Sequence, residues 1–352
     1  MSDQTQKLQA QVASAVSEKR SLNIIGGNSK AFYGRTSKCE SLHLQAHSGI
    51  VSYEPTELVM TVRAGTPLEE IEDALSKNNQ MLPFEPPHYG SGATIGGTIA
   101  CNLSGPRRAY SGAARDYVLG TKIINGKAEV LRFGGEVMKN VAGYDASRLM
   151  TGAMGTLGVL LEVSFKVLPR FASEITLVQE INADDAISKM NQWAGMPNPI
   201  SATAYLNGKL YVRLSGADST LQAAHKRIDG DLLSDAENFW LNLREHQLPV
   251  FKNAQTVWRI SVPQTATPLA LDGEQVIEWG GGLRWLIGDV DSNQVRKLVI
   301  EAGGHATLFK GGDSNEEIFH PLDKGLAKLH RNLKLAFDPH HIFNPDRMFG
   351  YQ

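Results

Sequence analysis

Six short β-branched runs separated by glycine-bearing turns fill the first half of the chain, and they leave room for little but sheet. They are SLNIIGG, GIVSYEP, LVMTVRAG, VLGTKIING, AEVLRFGG and LGVLLEVSFKVLP. Each has strand length and is bounded by turn residues, the pattern of a sheet-dominated α+β unit. Two helices interrupt it. One is the opening segment. The other is TPLEEIEDALSKNN, where Thr66 can cap, Pro67 takes the first position, and Leu68, Ile71 and Leu75 form one apolar stripe.

After Phe171 the glycine loops thin out. EITLVQEI, a helix over DDAISKMNQWA, SATAYLNGKLYVRLSG with Asn207-Gly208 as its hairpin turn, and a helix from DSTLQAAHKRI read as a β-α-β-β-α set. A similar set follows: TVWRISVP, a short helix, a strand EWGGGLRWLIGD, a helix over SNQVRKLVIEA, then HATLFKGG. Two such halves predict one ferredoxin-like antiparallel sheet with helices on one face. The tail from HPLDKGLAKLHRNLKLAFDP holds an amphipathic helix, and HHIFNPDRMF then reads as an exposed loop. The expected organisation is a first unit over 1–171, a cap over 172–311, and a C-terminal segment, 312–352, that returns to the first unit.

Composition narrows the function. With 352 residues, 42% hydrophobic and 20% charged, the chain fits two packed globular units. A formal charge of −2 and no block of Lys or Arg argue against nucleic acid as a ligand. The polar N-terminus lacks a signal-type apolar region, and no run of about 18 apolar residues occurs. The expected setting is cytoplasmic, meeting the inner membrane only through partners. Two cysteines, Cys39 and Cys101, cannot supply an iron–sulfur cluster or a structural zinc site. Cys101 reads as a small buried residue rather than a reactive thiol.

Two glycine loops carry the functional signal, GGNSK at 26–30 and GSGATIGGT at 90–98. The second is no Rossmann fingerprint, because Ile95 stands where the third glycine belongs and no acidic residue follows at the right strand end. The first has the wrong order for a Walker A loop. Glycines without Cβ atoms still let backbone N–H groups converge on an anion. Two such loops, each leaving a β-rich segment, favour one extended ligand with a pyrophosphate.

The order IIGGNSKAFYG, VRAGTPLEEIEDALSKNNQMLPFEPP, GATIGGTIACNLSGPRRAYSGAARDYVLG and KNVAGYDASRLMTGAMGTLGVLLEVSFKVLP resembles the two-part PCMH-type FAD-binding domain of the vanillyl-alcohol oxidase family. The tail FDPHHIFNPDRMF resembles that family's closing segment. Within the family, the chain is similar to the FAD-binding subunits of bacterial glycolate oxidases. The resemblance implies that Gly26, Gly27, Asn28, Ser29, Thr94, Gly96 and Gly97 cradle the FAD pyrophosphate, with Pro86 stiffening the approach. It implies that Asn102, Ser104, Gly105, Arg108, Tyr110 and Gly112 run beside the ribityl chain and ring, where Arg107 or Arg108 would stabilise reduced flavin. Gly155, Gly158, Val159 and Leu160 would contact flavin from a strand edge, and Asn344 from the tail.

Departures from the family bear on chemistry. Asn28 stands where some members attach FAD through a His, and no Cys follows Cys101, so FAD is expected to be noncovalent. The His-rich HGHxGDGN motif of related 2-hydroxy-acid dehydrogenases is absent, leaving His305 alone in GGHATLFKGG. Oxidising glycolate to glyoxylate by hydride transfer needs a base and a cation for the carboxylate. The candidates are Tyr110, Arg259, His340 and His341. The partners implied are a catalytic flavin-bearing subunit and an iron–sulfur subunit that receives the electrons. The alternatives are a noncatalytic FAD-containing electron-transfer or scaffolding subunit, or another oxidoreductase of this family.

Overall fold

The computed structural model describes residues 2–35, 39–135, 145–312 and 317–350, so residues 139–144 of the KNVAGYD stretch lie outside it. The N-terminal half is built on a five-stranded antiparallel sheet in the order Ile50–Glu54, Val59–Arg63, Val159–Lys166, Val118–Ile124, Val130–Gly134. Its central strand, VLLEVSFK, is buried at every position but the last, as a near-continuous apolar run requires. The strand Leu22–Ile25 lies outside this sheet and pairs in parallel with Glu40–His43. Helices Thr5–Ser17 and Leu68–Ser76 bury Leu8, Val12 and Ala15, and Leu68, Ile71 and Leu75, in the same core.

Thr66 does not cap the second of these helices. Its hydroxyl accepts the Gly49 N–H at 2.9 Å and donates to Arg63 O at 2.6 Å, so the helix enters from Pro67. The TIGGT stretch, read from the sequence as a loop, is the start of a helix, Ile95–Cys101. Paired glycines disfavour helix by about 1 kcal/mol each. Here tertiary contact overrides propensity, because Gly96 N–H donates to Ala64 O at 2.8 Å and a Cβ on Gly96 would lie 2.7 Å from that oxygen.

The second sheet has eight antiparallel strands: Asp231–Leu232, Ser173–Glu180, Lys209–Gly216, Ile200–Leu206, Glu274–Glu278, Leu283–Ile287, Val257–Ser261 and His305–Lys310. Each half reads outward from the centre as second, third, first and fourth strand, the ferredoxin-like order, and the halves join where Ala204 and Tyr205 face Glu278 and Ile277. Helices Ala183–Ala194 and Asp218–Ile228 cover one face, with Met190 and Leu221 among Leu177, Val212 and Ile277.

Three sequence readings are corrected here. EWGGGLRWLIGD is not one strand but two, reversed at Trp279–Gly281, where φ is positive at Trp279, Gly280 and Gly281. The short helix expected before it is an irregular stretch, 262–273. Arg284 lies fully buried beneath that stretch, reaching Ala266 O and Gly281 O at 2.8 and 2.7 Å, so a guanidinium satisfies one carbonyl of the stretch and one of the Trp279–Gly281 turn. Helices Ala236–Arg244 and Pro249–Lys252, unanticipated in the sequence, lie on the sheet's opposite face, where Trp240 Nε1 donates to Thr176 Oγ1 at 2.9 Å and Phe239 stacks on Tyr211.

That face meets the N-terminal half through ions. Glu85 takes Arg107 Nε at 3.0 Å and Arg213 Nη2 at 2.8 Å, and Arg107 also pairs with Glu174 at 2.5 Å. Burial pushes the Glu85 carboxyl up, but the two arginines outweigh it and hold the group below its usual range.

The tail is not an exposed loop. Helix Lys324–Phe337 ends at Asp338, whose carboxylate accepts Lys334 Nζ at 2.6 Å and the N–H groups of Ile342 and Phe343. Ile342, Phe343 and Asn344 are buried, with Leu22 N–H donating to Ile342 O and Asn344 N–H to Leu22 O.

Candidate cofactor cleft

A cleft enclosing about 810 Å³ of open space opens where these elements converge. Its walls are the turn leaving Leu22–Ile25, the start of helix Ile95–Cys101, the Met154–Gly155 turn and the tail. Of the sequence-predicted residues, Gly26, Gly27, Asn28, Ser29, Thr94, Gly96, Gly97, Gly155, Gly158, Leu160 and Asn344 line it together. The two glycine loops interlock backbone to backbone. A Cβ on Gly27 would fall 1.5 Å from Gly92 O, and one on Gly26 2.4 Å from Thr94 Oγ1. Thr94 caps the helix by accepting the Gly97 N–H at 3.3 Å. Asn344 closes the far wall, accepting the Ile24 N–H and donating to Met154 O, both at 2.7 Å.

Two cations that the sequence reading missed also face this cleft, Lys30 and Arg347. Lys30 is only 6% exposed. Its Nζ has Ser29 Oγ and His88 O at 3.3 Å and no carboxylate among the described residues. Arg347 donates to Tyr33 O at 2.8 Å and likewise has no carboxylate partner there. Burial pushes both groups below their ordinary values. Buried charges are destabilising unless paired. One buried and one half-buried cation beside a glycine cradle fit a doubly charged pyrophosphate. The available signal was position, since Lys30 closes the GGNSK loop and Arg347 follows Asn344 in the tail motif. Cys101 lies in the same wall, its thiol pushed up by burial.

The remaining predicted residues sit elsewhere. Val159 points into the core, and Pro86 is buried outside the cleft. Asn102 ends its helix in the left-handed region, with Oδ1 buried and unpartnered. Ser104 Oγ accepts the Ala114 N–H, and a Cβ on Gly105 would lie 2.3 Å from Glu85 O. Gly112 supplies a positive φ at a helix end. Arg107 is held by its two glutamates, which leaves Arg108 as the unpaired arginine of that stretch. Tyr110 packs against the eight-stranded sheet with its hydroxyl 3.2 Å from Thr203 Oγ1, and burial pushes its phenol up to about 12. His340 and His341 are exposed on the tail turn, and neither lines the cleft.

Comparison with known proteins decides the family. Over 348 residues the chain is 50% identical to glycolate oxidase subunit GlcE of Escherichia coli K12, covering 99% of this chain and 98% of that one. The chain belongs to the GlcE family. Residues 2–134 match the family described as FAD binding domain. Glycolate oxidase subunit GlcD of Bacillus subtilis 168 is 32% identical over 140 residues, 40% of this chain and 30% of that protein. In fold, the GlcE-family chain superposes on p-cresol methylhydroxylase with a TM-score of 0.71 at 14% identity, over 98% of this chain and 87% of the other. The two-part FAD-binding architecture with an antiparallel cap sheet is therefore shared. FAD is the cofactor, and the glycine cradle of the cleft, with two cations that have no carboxylate partner among the described residues, fits its pyrophosphate.

On the sheet face turned toward the N-terminal half, this GlcE-family chain gathers a second set of groups. Arg108 and Arg259 lie over one indole, that of Trp279, at 4.4 and 5.2 Å, and neither has a carboxylate partner among the described residues. Glu278, next to Trp279, is buried and accepts the Trp285 indole N–H at 2.6 Å. Burial pushes its carboxyl up to about 7. His246 lies between Phe251, stacked at 4.1 Å, and Trp285 at 4.4 Å. The sequence reading named Arg259 here and missed Glu278, because a lone glutamate beside a Gly-Gly turn carries no motif. No helix among the described residues is long and apolar enough to cross a membrane.

Proposed function

We propose that this chain is the FAD-binding subunit of a glycolate oxidase complex, that glycolate is oxidised to glyoxylate on its flavin, and that an iron–sulfur subunit carries the electrons away. The observation that carries the reading is the cleft with buried Lys30 and half-buried Arg347, neither paired with a carboxylate among the described residues, in a chain half identical from end to end to a glycolate oxidase subunit. Residues 1–171 and 312–352 form the flavin-holding part, and residues 172–311 the substrate-side cap. Gly26 to Ser29 hold the pyrophosphate by backbone N–H donors, against the wall that Thr94, Gly96 and Gly97 form, with Lys30 and Arg347 balancing its charge. FAD is noncovalent and supplies a hydride acceptor when bound. Arg259 and Arg108 hold the substrate carboxylate over Trp279, and Glu278 takes the hydroxyl proton. Tyr110 is too firmly protonated and too committed to Thr203 to serve as the base.

One observation favours a noncatalytic FAD-carrying role beside a catalytic partner. The inserted segment 236–252 fills the cap's inner face with Phe239, His246 and Phe251, packed on Tyr211 and Trp285. Anaerobic addition of glycolate to the purified chain separates the readings. Bleaching of the flavin by the chain alone supports self-sufficient oxidation. Bleaching only after the partner subunits are added sinks it. Release of the flavin on acid precipitation tests the noncovalent attachment.

A further inference from the structure

Helix Lys324–Phe337 has a composition that its own contacts do not explain. Of its 14 residues only Lys334 is buried. The helix is fastened near its C-terminal end, where Lys334 Nζ reaches Asp338, Thr156 O and Phe343 O, and Phe337 meets Phe133 edge-on. Along its exposed sides stand Leu326, Leu329 and Leu335, 47%, 53% and 50% exposed. Isolated surface leucines need no explanation, but three on one short helix leave apolar surface without a partner on more than one of its sides. Beside it a groove of about 700 Å³ runs between Leu322, Ala327 and Phe349, with Glu317 and Arg331 also in its wall.

The charge is one-sided. The sequence KGLAKLHRNLKLAF contains no acidic residue. Lys324, Lys328 and Arg331 are exposed, and none has a carboxylate partner among the described residues. Helical geometry sets the shape of the occupant. At about 3.6 residues per turn, Leu326 and Leu335 stand on opposite sides of the helix. A flat lipid surface covers one side only, whereas a groove closes on both.

We propose that helix Lys324–Phe337 docks this chain into an apolar, acid-rimmed groove on another subunit of its complex. The inference rests on the reading of the chain as a subunit and is independent of the reaction it performs. The test uses the full chain, tagged and co-expressed with the flavin-bearing and iron–sulfur glycolate oxidase subunits of the same source. Leu326→Glu/Leu329→Glu should reduce partner recovered per tagged chain by about tenfold or more, with FAD content and melting temperature of the isolated chain unchanged. Lys324→Glu/Lys328→Glu/Arg331→Glu should also weaken recovery, and raised salt should weaken the wild type.

Undiminished recovery by the leucine variant overturns the proposal. Sedimentation of the wild-type chain, but not the variant, with phosphatidylglycerol vesicles assigns the helix to lipid instead. A dimer of the isolated chain that the variant abolishes assigns it to a second copy. A wild-type chain that recovers no partner overturns the subunit reading itself.

Discussion

Asn344 and Ile24 are 320 positions apart in sequence, yet the Asn344 side-chain carbonyl accepts the Ile24 backbone N–H at 2.7 Å. Its amide donates to Met154 O at the same distance, so one buried side chain joins the tail, the strand feeding the first glycine loop, and the turn at Gly155. Asn344→Ala would leave a buried N–H and a buried carbonyl unpaired, at roughly 2–4 kcal/mol. Urea denaturation should show that loss. FAD should also be lost more readily on gel filtration, because Gly155, whose Cβ position lies 2.7 Å from Asn344 Nδ2, borders the cleft.

The glycines of the second loop differ in kind, and substitution distinguishes packing from ligand contact. A Cβ on Gly96 strikes Ala64 O at 2.7 Å, whereas one on Gly97 meets only Thr94 Oγ1 at 3.4 Å. Gly96→Ala should therefore lower the melting temperature with or without FAD. Gly97→Ala should leave the apoprotein as stable as wild type or more so, by up to about 1 kcal/mol of helix propensity, while weakening FAD. Equal affinity in the Gly97 variant, by flavin fluorescence titration, would remove that position from the cofactor's neighbourhood.

Lys30 and Arg347 invite the opposite signs for stability and binding. Lys30→Met removes a buried charge that has no carboxylate partner, so the apoprotein should hold or gain stability. FAD affinity should fall roughly 10- to 100-fold, the worth of a charge-assisted contact. Arg347→Met should weaken FAD likewise, with a smaller gain in stability because its guanidinium also holds Tyr33 O. Unchanged affinity in both variants would detach these cations from the cofactor.

Much of this arrangement was legible in the sequence where a local pattern and a tertiary contact agree. The short β-branched runs became strands, and the Asn207-Gly208 dipeptide turned a hairpin whose two strands lie beside the junction of the two sheet halves. The ferredoxin-like duplication was readable from the first half, where turn and helix periods agree, whereas the second half lacks its first helix and hides its hairpin at Trp279–Gly281. What escaped depends on distant partners. Helix Ile95–Cys101 forms because Ala64 O receives Gly96 N–H, which no propensity contains. The tail looked exposed because HHIFNPDRMF is rich in polar residues, yet Asp338 and Asn344 bind backbone groups and carry Phe343 inward. Lys30 and Arg347 look like ordinary surface cations until both are seen in one wall.

Glu278 and His246, on the same face of the eight-stranded sheet, titrate in opposing directions. Burial pushes the Glu278 carboxyl from 4.5 up to about 7, so the fold favours its protonated form. That contribution is fully present below pH 4.5 and is lost as pH rises to about 7. Burial, helped by Lys310 and Arg259, pushes His246 from 6.5 down to about 3, so the fold favours the neutral ring. Its contribution is fully present above pH 6.5 and is lost as pH falls toward 3. Between pH 4.5 and 6.5 the two slopes oppose each other. Urea denaturation of Glu278→Gln, which keeps an acceptor for Trp285, should therefore lose stability relative to wild type on acidification across that window, by about 1.4 kcal/mol per pH unit. His246→Phe should gain stability by about the same slope, since Phe preserves the stack on Phe251. Parallel pH profiles for wild type and both variants would show that neither group is held away from its ordinary range.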